Sequence, residues 1–180
     1  SKSRGNTISP DDYITRHGSD VFRMYLGFGF AYTDGGPWND DGVKAIVKYV
    51  NRVERLVEEA KAWPAPAVAA TLDSDGKALQ DACHYAIKSV STDAERFQFN
   101  TSISRMMELM NAINKYQALS SADHAMLRSV TEDLLRLMAP FAPHFCEESW
   151  HQLGYTDSIF HQAWPVFDPE ALVRDTIEIA

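Results

Sequence analysis

The sequence predicts an all-α fold: a helical bundle with an N-terminal loop and a short extended C-terminal tail. Three observations carry this prediction. Apolar residues recur at helical spacing in several long segments. Residues that cap helix N-termini precede these segments, and glycine or proline follows most of them. Strand-like alternation of apolar and polar residues is seen at the end of the chain, over residues 176–179.

Length and composition are typical of a globular protein. The chain has 180 residues, of which 45% are hydrophobic and 23% are charged. This size fits one domain with an appendage, and we divide it into residues 1–36, a loop with connecting helices, residues 37–157, the bundle, and residues 158–180, the tail. A net charge of −8 argues against a general nucleic-acid binder. An acidic protein can nevertheless bind RNA where its positive charges share one face.

The cysteines and histidines predict neither a disulfide nor a metal site. Cys83 and Cys146 lie in apolar helical patterns, so we expect buried, reduced thiols, which suit a cytoplasmic protein. No Cys-x-x-Cys spacing is present, and residues 144–151 lack the His-Glu-x-x-His order of metalloproteases. No apolar run reaches membrane-spanning length, so no membrane partner is expected.

The first two helices are predicted from their ends. Ser9 can cap a helix whose first residue is Pro10, and Gly18 suits its end. Asp20 is expected to cap the second helix. The apolar residues of that second helix are expected to be largely buried: Val21, Phe22, Met24, Tyr25 and Leu26.

The third helix, predicted from Asn39 as cap to about Ala62, has the clearest periodicity in the chain. One face is apolar: Val43, Ile46, Val47, Val50, Val53, Val57 and Ala60. The opposite face is basic: Lys44, Lys48, Arg52 and Arg55. This basic face could contact an RNA backbone, or it could be an ordinary solvated helix face, since Lys and Arg normally lie there.

Three more long helices and a tail follow. A loop over residues 63–76 leads to a helix from about Lys77, with a restart or kink at Thr92 and Asp93 and a bend at Phe97 and Phe99. The other boundaries are as follows: a helix over residues 101–118, a helix capped by Ser121 and ended by Pro140, a helix from Pro143 to Leu153 closed by Gly154, and a tail in which Trp164 is tucked in and Asp168 caps a short helix.

The N-terminal stretch, residues 1–10, reads most directly as chemistry. Its small hydroxylic residues can hydrogen-bond phosphate oxygens, and the Lys2 ammonium can meet a polyphosphate. Taken alone, a short run of Ser, Lys and Gly is more often a flexible terminus.

The segments 1–6, 9–12 and 17–20 together resemble the signature loop of class I aminoacyl-tRNA synthetases and the residues that follow it. The family motif is Lys-Met-Ser-Lys-Ser, and this chain begins at its third residue. By this resemblance, Ser1, Lys2 and Ser3 belong to the ATP-binding loop. Lys2 is then the motif's second lysine, a catalytic residue that stabilises the ATP phosphates while the aminoacyl adenylate forms.

Further blocks sharpen the resemblance. Residues 36–43, 51–53, 96–103, 137–150 and 175–179 are similar to the bacterial leucyl-tRNA synthetase family, with the valine and isoleucine families as alternatives. The resemblance implies a ligase that activates leucine with ATP and Mg²⁺ and transfers it to leucine tRNA. It implies that this region is the helical bundle named the anticodon-binding domain, and that its contacts with tRNA are mainly to the backbone.

Some family features are missing from the sequence. It contains no His-Ile-Gly-His-type motif and no nucleotide-binding Rossmann half. We therefore expect an excised part of a longer enzyme, inactive and without bound cofactor on its own, and monomeric. Leucine and ATP would be held mainly by the missing catalytic domain. The alternative is a helical module that holds RNA or a protein partner and does no chemistry.

Overall fold

A computed structural model describes residues 7–66 and 72–173 of the chain. It confirms the all-α prediction, since every regular element in these residues is helical. The elements are α1 (Pro10–His17), α2 (Ser19–Phe28), α3 (Asp40–Ala60), α4 (Ser74–Glu95), α5 (Phe99–Lys115), α6 (Ser121–Met138), α7 (Pro143–Gln152), a 3₁₀ helix (Ile159–His161) and α8 (Pro169–Val173). The division of the chain at residues 36 and 157 stays a prediction.

The helix α1 forms as predicted but contributes no buried residue. The Ser9 hydroxyl accepts a hydrogen bond from the Asp11 amide, and Pro10 occupies the first turn. Gly18 ends the helix with a φ of 85°, a left-handed value that disfavours other residues. The chain can therefore turn at once into α2.

Asp20 does not cap its own helix, so this prediction was wrong. No side chain caps α2, and the Asp20 carboxylate is buried against the start of α7, where it accepts a hydrogen bond from the Phe145 amide at 2.6 Å. Two apolar residues of α2 also depart from prediction. Phe22 is half-buried and Leu26 remains 43% exposed, because α2 buries only part of its surface in the bundle.

The helix α3 buries the predicted apolar face. Asn39 caps it by accepting a hydrogen bond from the Asp41 amide. Tyr49 and Leu56 extend the buried face beyond the predicted set, whereas Val47 is only half-buried. The helix ends at Ala60, two residues before the predicted end.

The helix α4 begins at Ser74, earlier than predicted, because the Asp73 carboxylate accepts a hydrogen bond from the Gly76 amide. It continues to Glu95, so the predicted restart or kink at Thr92 and Asp93 was wrong. The bend at Phe97 is confirmed. Phe97 has a φ of 58° and ends α4 in the left-handed conformation that usually requires glycine.

The helices α6 and α7 complete the core. Ser120, one residue before the predicted cap, caps α6 in a reciprocal capping box with Asp123. Pro143 starts α7 as predicted. Cys83 and Cys146 are both buried and free, in agreement with the sequence.

The tail lies along the bundle up to α8. Asp168 caps α8 as predicted. Trp164 donates its indole N–H to the Ser91 hydroxyl at 2.7 Å but remains 40% exposed, so the prediction that it is tucked in was too strong. The strand-like segment 176–179 lies outside the described residues. Among the helices described, none is long and apolar enough to cross a membrane.

Candidate nucleic-acid interface

The three residues predicted to bind ATP, Ser1, Lys2 and Ser3, lie outside the described residues. Their roles, including the catalytic role of Lys2, stay predictions. The predicted nucleic-acid contacts lie on α3 and can be followed in the structure.

The basic face of α3 is formed by Lys44, Lys48, Arg52 and Arg55. Lys44, Lys48 and Arg55 are exposed, and Arg52 is half-buried. The face exists because the opposite side of the same helix carries the buried residues, from Val43 to Ala60. Burial of one side fixes the rotation of the helix and directs these four side chains outward.

Lys44 is the one cation of this face that pairs with a carboxylate among the described residues. Its Nζ lies 2.8 Å from Oδ1 of Asp41, and this hydrogen bond raises the pKa of Lys44. Because both side chains are highly exposed, the pair is weak and salt-dependent. Lys44 can therefore exchange Asp41 for another anion at little loss.

Arg52 is held in place by a neighbouring helix. Its Nη2 donates a hydrogen bond of 2.8 Å to Oδ1 of Asn111 in α5. An oriented guanidinium loses less rotamer freedom when it binds a phosphate than a free one does. Asn111 was not predicted to support the face. The two residues are 59 positions apart, so no local pattern could have paired them.

The centre of the basic face is a shallow depression of about 650 Å³ lined by Lys48, Asn51, Arg52, Glu54 and Arg55. Three of these five residues are cations and one is an acid. The local charge is thus positive although the whole chain carries −8. A surface of this kind can bind a polyanionic backbone without reading bases.

The start of α3 is tied to α1 by a cluster that sequence reasoning missed. The Tyr13 hydroxyl donates to Oδ1 of Asp40 at 2.6 Å, and the Trp38 indole N–H lies 3.0 Å from both acceptors. The Trp38 ring packs against Tyr13 and Tyr25, with ring centroids 4.5 and 4.6 Å away. The cluster fixes the end of α3 that carries Lys44.

The region 144–151 has structural partners instead of a metal-ligand arrangement. The Glu147 carboxylate accepts hydrogen bonds from the Ile159 amide and the Ser158 hydroxyl, and Nε2 of His151 lies 3.4 Å from it. Within residues 7–66 and 72–173, no three or more His, Cys, Asp or Glu side chains converge in a way that could hold a metal ion.

Comparison with known proteins gives consistent matches. Residues 77–180 match the profile of the family described as the anticodon-binding domain of tRNA ligase. The chain is 53% identical over its whole length to a leucine–tRNA ligase of Clostridium perfringens (strain SM101 / Type A). It is 52% identical over its whole length to a leucine–tRNA ligase of Caldanaerobacter subterraneus subsp. tengcongensis. It spans 22% of the length of each of these relatives.

The fold is also found in a solved structure. That crystal structure is a ternary complex of the Agrobacterium radiobacter K84 agnB2 LeuRS with tRNA and LeuAMS. It superposes with a TM-score of 0.83 at 28% identity, over 96% of this chain and 22% of the other. The profile match covers more than half of the chain, and the fold agrees with it. The chain therefore belongs to the family of anticodon-binding domains of tRNA ligases.

Proposed function

We propose that this chain is the anticodon-binding region of a cytoplasmic leucine–tRNA ligase, which activates leucine with ATP and Mg²⁺ and transfers it to leucine tRNA. The observation that carries this proposal is the 53% identity to a leucine–tRNA ligase across the whole chain. In this enzyme the bundle would hold the tRNA, and Lys2 of the signature loop would stabilise the ATP phosphates.

The basic face of α3 is the part of the bundle that we assign to tRNA. Lys48, Arg52 and Arg55 surround one depression, and Arg52 is already oriented by Asn111. Lys and Arg side chains that meet phosphates release counterions from the RNA, which makes binding salt-dependent. Backbone contacts of this kind position the tRNA and leave its sequence to be read elsewhere.

Leucine activation requires more than this chain contains. Catalysis by electrostatic stabilisation needs several donors preorganised around the phosphates. Lys2 is the single predicted catalytic residue here, so the isolated chain is expected to show no leucine-dependent exchange of pyrophosphate into ATP. Measurable exchange by the pure chain would contradict this part of the proposal.

The test is binding of the chain to leucine tRNA over a salt series. The variant Lys48→Glu/Arg52→Glu/Arg55→Glu is compared with wild type. The matched control, Lys77→Glu/Lys88→Glu/Arg96→Glu, reverses three exposed charges on or beside α4. Circular dichroism of all three proteins establishes that the bundle is intact.

The expected result is that wild type and control bind with affinity that falls as salt rises. The α3 variant loses affinity, and the slope of log K against log salt falls by about 2 to 3, one for each phosphate contact. Equal loss in both variants would show only a net-charge effect. An unchanged α3 variant would show that the basic face is merely solvated.

A further inference from the structure

An apolar groove lies on the bundle at a place that the proposed tRNA contacts do not use. It has a volume of about 640 Å³ and shares no residue with the depression on α3. Its apolar lining comes from five separate segments: Phe22 and Leu26 of α2, Tyr32, Phe99 of α5, Phe141 and Trp164.

Large apolar side chains remain in solvent along this groove. Leu26 is 43% exposed, Tyr32 is 62% exposed and Trp164 is 40% exposed. Phe97, beside the groove, is 58% exposed and stacks on Tyr32 with the ring centroids 5.8 Å apart. Scattered exposed apolar residues are common, but a contiguous concave group of this size marks an interaction site.

Close packing builds the groove. A Cβ atom on Gly27 would lie 3.2 Å from Cδ1 of Ile103, so glycine at this position lets α2 approach α5. Phe97 keeps its exposed ring at a left-handed backbone position where glycine would be free of strain. A helix end does not require a phenylalanine there, so the ring is explained better by contact with a partner.

The charge of the groove argues against RNA as that partner. In the described part of the chain, Arg23 is the one charged residue among the groove's lining. Its Nε and Nη2 atoms donate hydrogen bonds of 3.2 and 3.1 Å to the Pro140 carbonyl oxygen. This leaves the groove with little free positive charge to attract phosphates, and its lining favours an apolar protein surface.

We infer that the groove is covered, in the full-length ligase, by an apolar surface of the part of the polypeptide outside this chain. The inference rests on the proposed function. The chain spans only 22% of relatives that match it along its whole length, and the solved structure likewise contains this fold as 22% of a longer chain. A large polypeptide is thus joined to the bundle in these proteins. It is a better occupant than a second copy of the chain.

The test is hydroxyl-radical footprinting of the 180-residue chain and of the full-length protein that contains it, both without tRNA. Side-chain oxidation is read for Tyr32, Phe97 and Trp164. Tyr85 on α4, which is 42% exposed and does not line the groove, is the internal control. We expect oxidation of the three groove residues to fall at least about five-fold in the full-length protein, as for side chains in an interface core. Oxidation of Tyr85 should stay the same.

Four results would overturn the inference: equal oxidation in both proteins, rings already protected in the dilute isolated chain, protection that depends on the concentration of that chain, or protection that requires added tRNA. The third would identify a second copy as the occupant, and the fourth would identify RNA. Leucylation of tRNA by the same full-length preparation tests the proposed function separately. Loss of charging with intact protection would reject that function and leave the covered groove standing.

Discussion

The Asp20 carboxylate caps a helix that lies 125 residues further along the chain. Its Oδ2 accepts the Phe145 amide at 2.6 Å and its Oδ1 lies 2.8 Å from Nδ1 of His144. The first amides of a helix have no partner within the helix, and α7 has no capping side chain of its own. Asp20 supplies that partner from α2 and joins the two ends of the described fold.

Replacing Asp20 with alanine is therefore expected to lower the free energy of unfolding by about 1–2 kcal/mol, the usual effect of losing a helix cap. Asp168→Ala is the control, because Asp168 caps the short helix α8 at an exposed position. Urea denaturation of both variants is the measurement. Equal losses would contradict a special role for Asp20.

Arg128 is expected to be the most sensitive charged residue of the core. It is 6% exposed and donates to Oε1 of Glu132 and to the carbonyls of Ala60 and Leu153. Arg128→Met leaves the buried Glu132 carboxylate without its partner and should destabilise the protein by about 3–5 kcal/mol. The double variant Arg128→Met/Glu132→Gln should recover part of that loss in thermal or urea unfolding. No recovery would show that the carbonyl contacts dominate.

Asn111→Ala tests whether orientation of Arg52 matters for tRNA. The variant removes the oxygen that holds the guanidinium but changes no charge. We expect affinity for leucine tRNA to fall about two- to five-fold with the salt slope unchanged, because rotamer freedom is lost on binding and no phosphate contact is removed. Asn51→Ala, in the same depression, is the control. A change of slope would mean that Asn111 supports a phosphate contact in another way.

The Tyr13–Asp40 hydrogen bond predicts an acid-sensitive contact between α1 and α3. The hydrogen bonds from Tyr13 and Trp38 lower the pKa of Asp40 below its ordinary value. A carboxylate whose pKa is lower in the folded state contributes stability above its unfolded pKa, and the contribution is lost as pH falls through the lowered value. A carbon-13 NMR titration should show the Asp40 midpoint rising toward that of an ordinary aspartate in Tyr13→Phe. An unchanged midpoint would refute this cause.

Phe97 predicts an unusual order of stability for two small substitutions. Phe97→Ala removes the ring and keeps an L-residue at a φ of 58°, whereas Phe97→Gly removes the ring and the strain together. The glycine variant should be more stable than the alanine variant by about 1 kcal/mol, the reverse of their order within a helix. Urea unfolding measures the difference. Gly18→Ala, at the other left-handed helix end, should lose a similar amount from wild type.

Features set by local sequence were predicted well. The apolar face of α3 follows from a helical period in one segment, and the caps Ser9 and Asn39 act within two residues of themselves. The basic face was placed correctly for the same reason, since a helix that buries one side exposes the other.

Features set by partners distant in sequence were not predicted. A helix-start pattern places Asp20 as a local cap because nothing near it shows the free amide of Phe145. Arg52 likewise carries no local sign of Asn111. The exposed groove depends on how α2, α5 and the tail converge, and single segments cannot report where an apolar side chain will lack a neighbour.

The buried contacts of Arg128 also bear on the order in which the protein folds. The Ala60 carbonyl lies 68 residues away in sequence and the Leu153 carbonyl lies 25 residues away. Closing the longer loop costs about 1 kcal/mol more chain entropy than closing the shorter one. The α6–α7 contact should thus form before the end of α3 docks. Destabilising changes near Leu153 would slow refolding, whereas those near Ala60 would mainly speed unfolding.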